Sequence, residues 1–249
     1  LHGAAGVDFF LGAAADEDWL AAPLDGQLGA DFNRADIDEN RAERLDVGRR
    51  IHLVHKGPDS RATGNGDGFD FDGCERVRIS NCNLNTGDDA IGLKTFLPNT
   101  PNADFVISNC LISSTWAAIR LGPESFADMR NIVMSNCVFR NCRDGFKIQS
   151  CEGAVIERFS ASSIMMENVF RPFFITQNRF GMSKHAPAGR TPVGLLRDLR
   201  FSEITAVVPR NPTGDAFDQP CNVIVGYPGH YTENVSIPGL DLEMPGGGT

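Results

Sequence analysis

The chain has 249 residues, of which 41% are hydrophobic, and this is enough apolar sequence to bury the core of a single domain. Its formal net charge of -9 argues against a nucleic-acid partner, because phosphate binding needs a basic surface. The sequence contains no apolar run of the roughly 18 residues that a membrane-spanning helix needs, so no membrane association is predicted.

Residues 1–50 show none of the short β-branched runs that fill the rest of the chain. We interpret this region as an N-terminal arm, or as a cap over the open end of the following domain. Residues 51–249 form the main domain in this division. The sequence begins at Leu1 and ends in MPGGGT, so we expect the chain to be truncated at both ends.

Three aspartates stand out in two neighbouring stretches. GNGDGFDFDGC, residues 64–74, holds Asp67 between two glycines, and ISNCNLNTGDDAIGLK, residues 79–94, holds the adjacent pair Asp88 and Asp89. Glycine, asparagine and aspartate are typical of turns, so all three acids are predicted to lie at turns between short strands.

A repeated phrase, VRISNC, FVISNC and IVMSNC, ends at Cys82, Cys110 and Cys137, with a period of 28 and then 27 residues. Such a period is typical of a solenoid or a propeller. No helical segment separates the strands and no unit holds the four strands of a propeller blade, so we predict an all-β fold, a parallel β-helix. The cysteines then stack as reduced core residues, roughly 4.8 Å apart, and the preceding asparagines form a ladder at a bend.

Residues 154–249 contain looser runs of the same kind, such as NVFRPFFIT and LLRDLRFSEITAV, which we interpret as further coils. Between these two runs lies QNRFGMSKHAPAGRTPVG, a polar loop interrupted by glycine and proline. A loop of this length is able to reach over a neighbouring surface.

The spacing of the three aspartates predicts a cluster of carboxyl groups. If one coil is shortened to about 21 residues, the length that separates the two motifs, Asp67 lies beside Asp88 and Asp89. Both members of the pair face outward only if the backbone leaves strand geometry at Gly87. Crowded carboxylates repel, so one stays protonated while the others ionise, which suits glycoside hydrolysis. Simple turn residues and a calcium-binding glycine-aspartate repeat remain the alternatives.

The two aspartate motifs together resemble those of the polygalacturonase family, which is glycoside hydrolase family 28. The likeness continues through GPESFADMRNIVMSNC, RDGFKIQS, ENVFRPFFITQNRF and NVIVGYPGHYTENVSI, and it covers roughly residues 60–249. The resemblance implies a right-handed parallel β-helix. It also implies that Asp88 is the general acid, and that Asp67 and Asp89 hold and deprotonate water in a single inverting displacement. Neither a metal nor a cofactor is implied.

Two motifs depart from the family pattern. Trp116 stands where the family has the histidine of Gly-His-Gly, and Lys147, Ile148 and Gln149 stand where it has Arg-Ile-Lys. The family's histidine tunes an acidic aspartate, and its arginine and lysine bind a galacturonate carboxylate. This chain therefore keeps one of these cations and lacks the imidazole.

Trp116 and Arg120 are candidates to compensate for these losses, because an alternating strand places them on one face. Arg120 is able to form a bidentate contact with a sugar carboxylate, and Trp116 to stack on a sugar ring. Ordinary packing and a solvated arginine are the alternatives. The predicted substrate-binding residues are thus Trp116, Arg120, Lys147 and Gln149.

We therefore predict a glycoside hydrolase that acts on an acidic, pectin-like polysaccharide or oligosaccharide, as a monomer and without a cofactor. The resemblance implies an extracellular or periplasmic location. Two alternatives stay open. One is a polysaccharide lyase on the same fold, which would use calcium and an arginine or lysine base, and the other is a non-catalytic β-helix that binds glycans.

Overall fold

A computed structural model describes residues 10–12, 45–47, 52–54, 67–177, 193–210 and 220–245. All the regular secondary structure in these ranges is β-strand. Within the described ranges no helix is long and apolar enough to cross a membrane. Nearly all of the loop that the sequence analysis places between residues 177 and 194 lies outside the described residues.

Two parallel sheets contain all the strands. The strands of sheet A are β1 (Phe10–Gly12), β4 (Phe69–Asp72), β7 (Ile91–Thr95), β10 (Ala117–Ser125), β12 (Asp144–Ser150), β14 (Arg171–Gln177) and β16 (Val223–Val225). The strands of sheet B are β2 (Leu45–Val47), β3 (His52–Val54), β5 (Val77–Ser80), β6 (Asn83–Thr86), β8 (Asn102–Ser108), β9 (Leu111–Ser114), β11 (Met129–Arg140), β13 (Val155–Glu167), β15 (Leu195–Val207), β17 (Glu233–Ser236) and β18 (Leu240–Glu243).

The chain alternates between the sheets and so winds into a solenoid. Sheet A has the order β1-β4-β7-β10-β12-β14-β16, and the intervening strands pair in sheet B in the same sequence of coils. Every pairing between named strands is parallel, as expected when equivalent strands of successive coils lie side by side. The described residues therefore form a parallel β-helix.

The core runs along the inside of the coils as stacks of equivalent side chains. Cys82, Cys110 and Cys137 occupy one such stack, because β6 pairs with β9 and β9 with β11 in the matching register. All three are free and at most 2% exposed. In the next coil Cys137 pairs with Ile164, so the sulfur stack continues as aliphatic side chains. The prediction of reduced, stacked core thiols is confirmed.

The coils bend at residues with left-handed backbone. Asn81, Asn109 and Asn136 have φ angles of 58°, 56° and 53°, a region that asparagine tolerates better than most residues. The next coils place Ser163 and Glu203 at the same bend, with φ angles of 55° and 54°. The predicted asparagine ladder therefore marks a corner of the solenoid.

Two short strands lie within the region predicted to be an arm or cap. β1 pairs with β4, and β2 pairs with β5, so both extend the sheets by parallel pairing. The rest of residues 1–50 lies outside the described residues, and the division at residue 50 stays a prediction.

Candidate active site

The three predicted catalytic carboxyls meet at one end of sheet A. Asp67 lies just before β4, and Asp88 and Asp89 lie just before β7, its parallel neighbour. The register pairs Phe69 with Ile91, so the turns that enter the two strands lie side by side. One oxygen from each carboxyl lies within 4.8 Å of the other two. The short coil between these strands thus produces the cluster expected from the sequence.

Hydroxyl groups from two coils hold the turn that carries Asp88. Thr86 Oγ1 and Ser114 Oγ each donate to the main-chain oxygen of Asp88 over 2.6 Å. Thr115 Oγ1 donates to the preceding carbonyl oxygen. The main-chain N–H of Asp89 donates to Asp88 Oδ1 over 2.8 Å. The sequence analysis missed these hydroxyls. They could have been found as hydroxyl residues at equivalent positions of two coils, since Thr86 pairs with Ser114.

Each of the two buried acids of the cluster, Asp67 and Asp89, has a basic partner. Lys94 Nζ donates to Asp67 Oδ2 over 2.8 Å and to Asp70 Oδ2 over 2.6 Å. Arg120 Nη1 donates to Asp89 Oδ2 over 2.8 Å. Asp67, Asp70 and Asp89 are all buried, whereas Asp88 is partly exposed. Lys94 and Arg120 therefore hold the two buried acids, and the cluster is open to solvent at Asp88.

The electrostatics of the cluster favour a proton on Asp67. Burial, together with the charges of Asp70 and Asp89, raises the pKa of Asp67 from its usual 3.8 to about 7, against the opposing effect of Lys94. Burial disfavours the charged form of Lys94, but the carboxylates of Asp70 and Asp67 outweigh it and raise the pKa of the lysine. One ammonium cannot neutralise two buried carboxylates, so the second readily holds a proton.

Trp116, Arg120 and Lys147 lie on the same outer surface of sheet A. Arg120 and Lys147 are register partners in β10 and β12, and Lys147 Nζ lies 5.5 Å from the centre of the Trp116 ring. Trp116 itself precedes β10 rather than belonging to the alternating strand. The guanidinium of Arg143 lies over the Trp116 ring at 3.9 Å, so it covers one face of the indole.

Lys147 forms an ion pair with a buried acid, and Gln149 forms a hydrogen bond to the neighbouring coil. Lys147 Nζ lies 3.2 Å from Asp144 Oδ2, and Arg171 also binds both oxygens of this fully buried carboxylate. Gln149 Nε2 donates to Thr176 Oγ1 over 3.2 Å. Burial lowers the pKa of Lys147, although Asp144 opposes this effect. A second anion beside Lys147 would therefore stabilise its charged form.

Two acids of this surface, Asp70 and Asp144, were missed by the sequence analysis. Asp70 stands between Phe69 and Phe71 in FDFD, and all three side chains are buried. An acid in a fully buried stretch needs a cation, since an unpaired buried charge is costly. Asp70 could have been recognised from Lys94, because this lysine lies on the neighbouring strand and is able to neutralise it.

The arrangement suits two kinds of chemistry. A protonated carboxyl beside ionised ones is able to exchange protons with a glycosidic oxygen and a water molecule. The same oxygen spacing would also suit a divalent cation such as calcium, which prefers carboxylate ligands.

Comparison with known proteins relates the chain to a group of carbohydrate-active enzymes. A family model described as glycosyl hydrolases family 28 matches residues 50–217. A polygalacturonase of Brassica napus is 25% identical over 186 residues, which cover 73% of this chain and 44% of the relative. The solved structure of a family 28 exopolygalacturonase from Yersinia enterocolitica matches with a TM-score of 0.59 and 18% identity, over 72% of this chain and 32% of that one.

The structural likeness concerns the fold. It agrees with the parallel pairing of both sheets, and the predicted right-handed parallel β-helix is confirmed. The chain spans less than half the length of each of these two relatives.

Proposed function

Because the chain belongs to glycosyl hydrolases family 28, we propose that it cleaves glycosidic bonds in an acidic, pectin-like polysaccharide. The observation that carries this proposal is the cluster of Asp67, Asp88 and Asp89, whose oxygens lie within 4.8 Å of one another. The curated relative is a polygalacturonase, which supports the substrate class. The predicted family resemblance is confirmed, whereas the activity remains a proposal.

In the proposed reaction Asp88 donates a proton to the departing glycosidic oxygen. This role fits its position, because Asp88 is the partly exposed member of the cluster and its turn is held by three hydroxyl groups. Asp67 and Asp89 hold the attacking water. Asp89 removes its proton, because burial and the neighbouring acids raise the pKa of Asp67 to about 7. General acid catalysis of this kind contributes on the order of 10²–10⁴-fold to the rate.

The basic partners of Asp67 and Asp89 support their assignment as the water-binding pair. Lys94 and Arg120 each fix one carboxylate oxygen, so the two groups keep a defined orientation toward the third acid. The main-chain N–H of Ala117 adds a contact of 3.2 Å to the other oxygen of Asp89. Both oxygens of Asp89 are therefore held by donors, whereas Lys94 holds one oxygen of Asp67.

Inversion at the anomeric carbon is part of the proposal and needs its own measurement. The acid and base of inverting enzymes are usually about 6.5–9.5 Å apart, and those of retaining enzymes about 5–5.5 Å apart. In this structure one oxygen of each of the three carboxyls lies within 4.8 Å of the other two. This is a distance between single oxygens, so it does not by itself distinguish inversion from retention. Proton NMR of the first product should show the anomer opposite to that of the cleaved linkage; the same anomer would mean retention.

We place the substrate along the outer surface of sheet A. Trp116, Lys147 and Gln149 are the proposed contacts, because they lie on the coils that follow the aspartate cluster. Lys147 supports an acidic substrate, since a sugar carboxylate would stabilise its buried charge. The sequence also predicts a substrate contact for Arg120, whose Nη1 already binds Asp89.

A product assay tests the proposed function. Incubation with polygalacturonate should release new reducing ends without a product that absorbs in the ultraviolet. The matched control is the Asp88→Asn variant, which keeps the shape of the turn and removes the transferable proton. Equal release of reducing ends by parent and variant would contradict the proposed mechanism.

A polysaccharide lyase is the second candidate, because the three carboxylate oxygens would also suit calcium. A lyase would produce an unsaturated sugar that absorbs in the ultraviolet, and a calcium chelator would abolish the activity. A hydrolase that uses only carboxylates should retain its activity in the same chelator.

A non-catalytic glycan-binding β-helix is the third candidate. The absence of the family's histidine favours it, because Trp116 stands at that position and cannot tune an acidic aspartate as an imidazole does. It would be supported if a glycan array detected binding while no pectic polymer gave either product. By family membership we also propose an extracellular or periplasmic location and a monomeric state, which cell fractionation and light scattering would test.

A further inference from the structure

We propose that Lys94 is a positioning residue, which holds the Asp67 carboxyl against those of Asp88 and Asp89, and that Asp70 anchors Lys94 for this task. The inference rests on the proposed function only where it predicts rates. Lys94 has no role in the proton transfers described above. Its contacts nevertheless connect the catalytic cluster to a carboxylate that the reaction does not use.

The first support is the geometry of the ion pairs. Lys94 Nζ lies 2.8 Å from Asp67 Oδ2 and 2.6 Å from Asp70 Oδ2. The side chain of Lys94 is only 16% exposed, and those of Asp67 and Asp70 are 7% and 3% exposed. Charge-assisted bonds at these distances are strong and directional. The Asp67 carboxyl is thus fixed through one oxygen by a lysine that cannot easily move.

The second support is the space that the fold leaves for Asp70. Asp70 and Gly92 are register partners in β4 and β7. A Cβ atom at Gly92 would lie 2.1 Å from Asp70 Oδ1, so any other residue there would displace the carboxylate. The glycine therefore leaves room for the Asp70 carboxylate, which binds Lys94 in the neighbouring strand.

The third support is that the Lys94–Asp70 ion pair leaves a buried carboxylate oxygen poorly satisfied, which a pair that served only stability would avoid. Asp70 Oδ1 is buried, and apart from the neighbouring Asp67 carboxyl it has no hydrogen-bond partner among the described residues. A buried acceptor without a good donor opposes folding, because it loses its hydrogen bonds to water. Buried ion pairs are in any case weak sources of stability, and apolar residues of similar volume often serve as well. A stabilising role alone therefore does not account for the arrangement.

The consequence concerns the orientation of Asp67. Without Lys94, the Asp67 carboxyl would lie close to two like charges, those of Asp70 and Asp89, which favour its moving away or taking up a proton. A displacement of about 1 Å in a catalytic group is able to cost on the order of 10²-fold in rate. Lys94 is therefore expected to act on the rate of turnover and not on substrate affinity.

The kinetic experiment compares Lys94→Met, which keeps the length of the chain, with Lys94→Arg, which keeps the charge. We expect Lys94→Met to lower kcat by on the order of 10²-fold with KM within about threefold of the parent. Lys94→Arg should recover much of this loss, because a guanidinium is also able to bind two carboxylates. Arg140→Met, an exposed arginine on sheet B paired with Glu167, is the control and should match the parent.

An unchanged kcat in Lys94→Met, or a change in KM alone, would overturn the inference. If Lys94→Met does not fold, Asp70→Asn is the second variant, because the amide keeps the shape and removes the anchoring charge. Asp70→Asn should lower kcat at least tenfold with KM unchanged, and a parental kcat would also overturn the inference.

Crystal structures of the parent and of the folded variant separate this inference from the proposed function. We expect the Asp67 carboxyl to leave the cluster in the variant and to remain in it in the parent. The same Asp67 position in both structures would overturn the positioning role even if the parent is a hydrolase. An inactive parent whose variant shows the displacement would refute hydrolysis and support positioning.

Discussion

Asp67 is a carboxyl whose ionisation opposes folding. Its pKa rises from 3.8 to about 7 because of burial and of the charges on Asp70 and Asp89. The folded state therefore binds this proton more tightly than the unfolded state does. By linkage, the contribution of Asp67 to stability is complete below about pH 4 and is lost as the pH rises toward 7.

Asp67→Asn should consequently stabilise the protein at alkaline pH. At pH 8 the amide avoids a buried charge, so we expect the free energy of unfolding to exceed that of the parent by on the order of 4 kcal/mol. At pH 4 both proteins carry a neutral group and should be equally stable. Urea denaturation at the two pH values measures this difference. A variant less stable than the parent at pH 8 would contradict the burial argument.

Substitution of Asp88, unlike that of Asp67, should change the activity and leave the stability unchanged. The Asp88 side chain is partly exposed, and its turn is held through main-chain oxygens that an asparagine also provides. Asp88→Asn should therefore keep the parental melting temperature within about two degrees, since surface substitutions usually change stability by less than about 0.5 kcal/mol.

The same variant should lose on the order of 10²–10⁴-fold in kcat, because an amide cannot deliver the proton. Asp104→Asn, at an exposed acid on sheet B, is the control and should retain full activity. A turnover of Asp88→Asn within about threefold of the parent would exclude Asp88 as the general acid.

At the scale of the element, the bends are as important as the strands. Asn109 lies at the corner between β8 and β9 with a φ angle of 56°, and Asn81 and Asn136 occupy the same corner in adjacent coils. Left-handed backbone costs most L-residues about 1–2 kcal/mol, a penalty that asparagine reduces and glycine avoids. The corner therefore selects its residues by backbone conformation.

Asn109→Ala should destabilise the protein by about 1 kcal/mol, whereas Asn109→Gly should lie within about 0.5 kcal/mol of the parent. Chemical denaturation of both variants measures the difference, and each serves as the control of the other. Equal destabilisation by alanine and glycine would indicate that the asparagine side chain, and not the backbone conformation, holds the corner.

At the scale of the whole molecule, the three candidate catalytic acids and two of the cations lie on successive coils along the solenoid axis. Asp67, Asp88 and Asp89 lie on the coils of β4 and β7, and Arg120 and Lys147 follow on the coils of β10 and β12. A polysaccharide lying along the axis would thus have its cleaved bond at the acids and its carboxylates near the cations. Burial disfavours the charged form of Lys147, so a substrate carboxylate would stabilise it. Arg120, in contrast, already forms an ion pair with Asp89.

Lys147→Ala should therefore lower kcat/KM for an acidic oligosaccharide by roughly ten- to a hundredfold, because a charge-assisted bond is worth about 1.5–3 kcal/mol. The loss should be smaller for the methyl ester. Arg120→Ala should lower kcat/KM for acid and ester alike, since its guanidinium holds the carboxylate of Asp89, the proposed base. An equal effect of Lys147→Ala on both substrates would contradict the acidic-substrate proposal, and an acid-selective effect of Arg120→Ala would restore Arg120 as a direct substrate contact.

The sequence by itself determined the solenoid and the cluster of three acids. The repeat that ends at Cys82, Cys110 and Cys137 sets the period of the coils, and a parallel register then follows because equivalent apolar residues must stack in one core. The shortened interval between Asp67 and the pair at Asp88 and Asp89 brings the carboxyls together for the same reason. These features depend on spacing along the chain, which a sequence displays directly.

Only the tertiary structure decided which charges face one another across coils. The pairing of Lys94 with Asp67 and Asp70, and of Arg120 with Asp89, joins residues 24 to 31 positions apart. The partner of a side chain on the outer surface depends on its rotamer and on its degree of burial, and neither has a period in the sequence. Burial also sets the high pKa of Asp67, so the protonation of the cluster is a property of the folded coils and not of the motif that contains it.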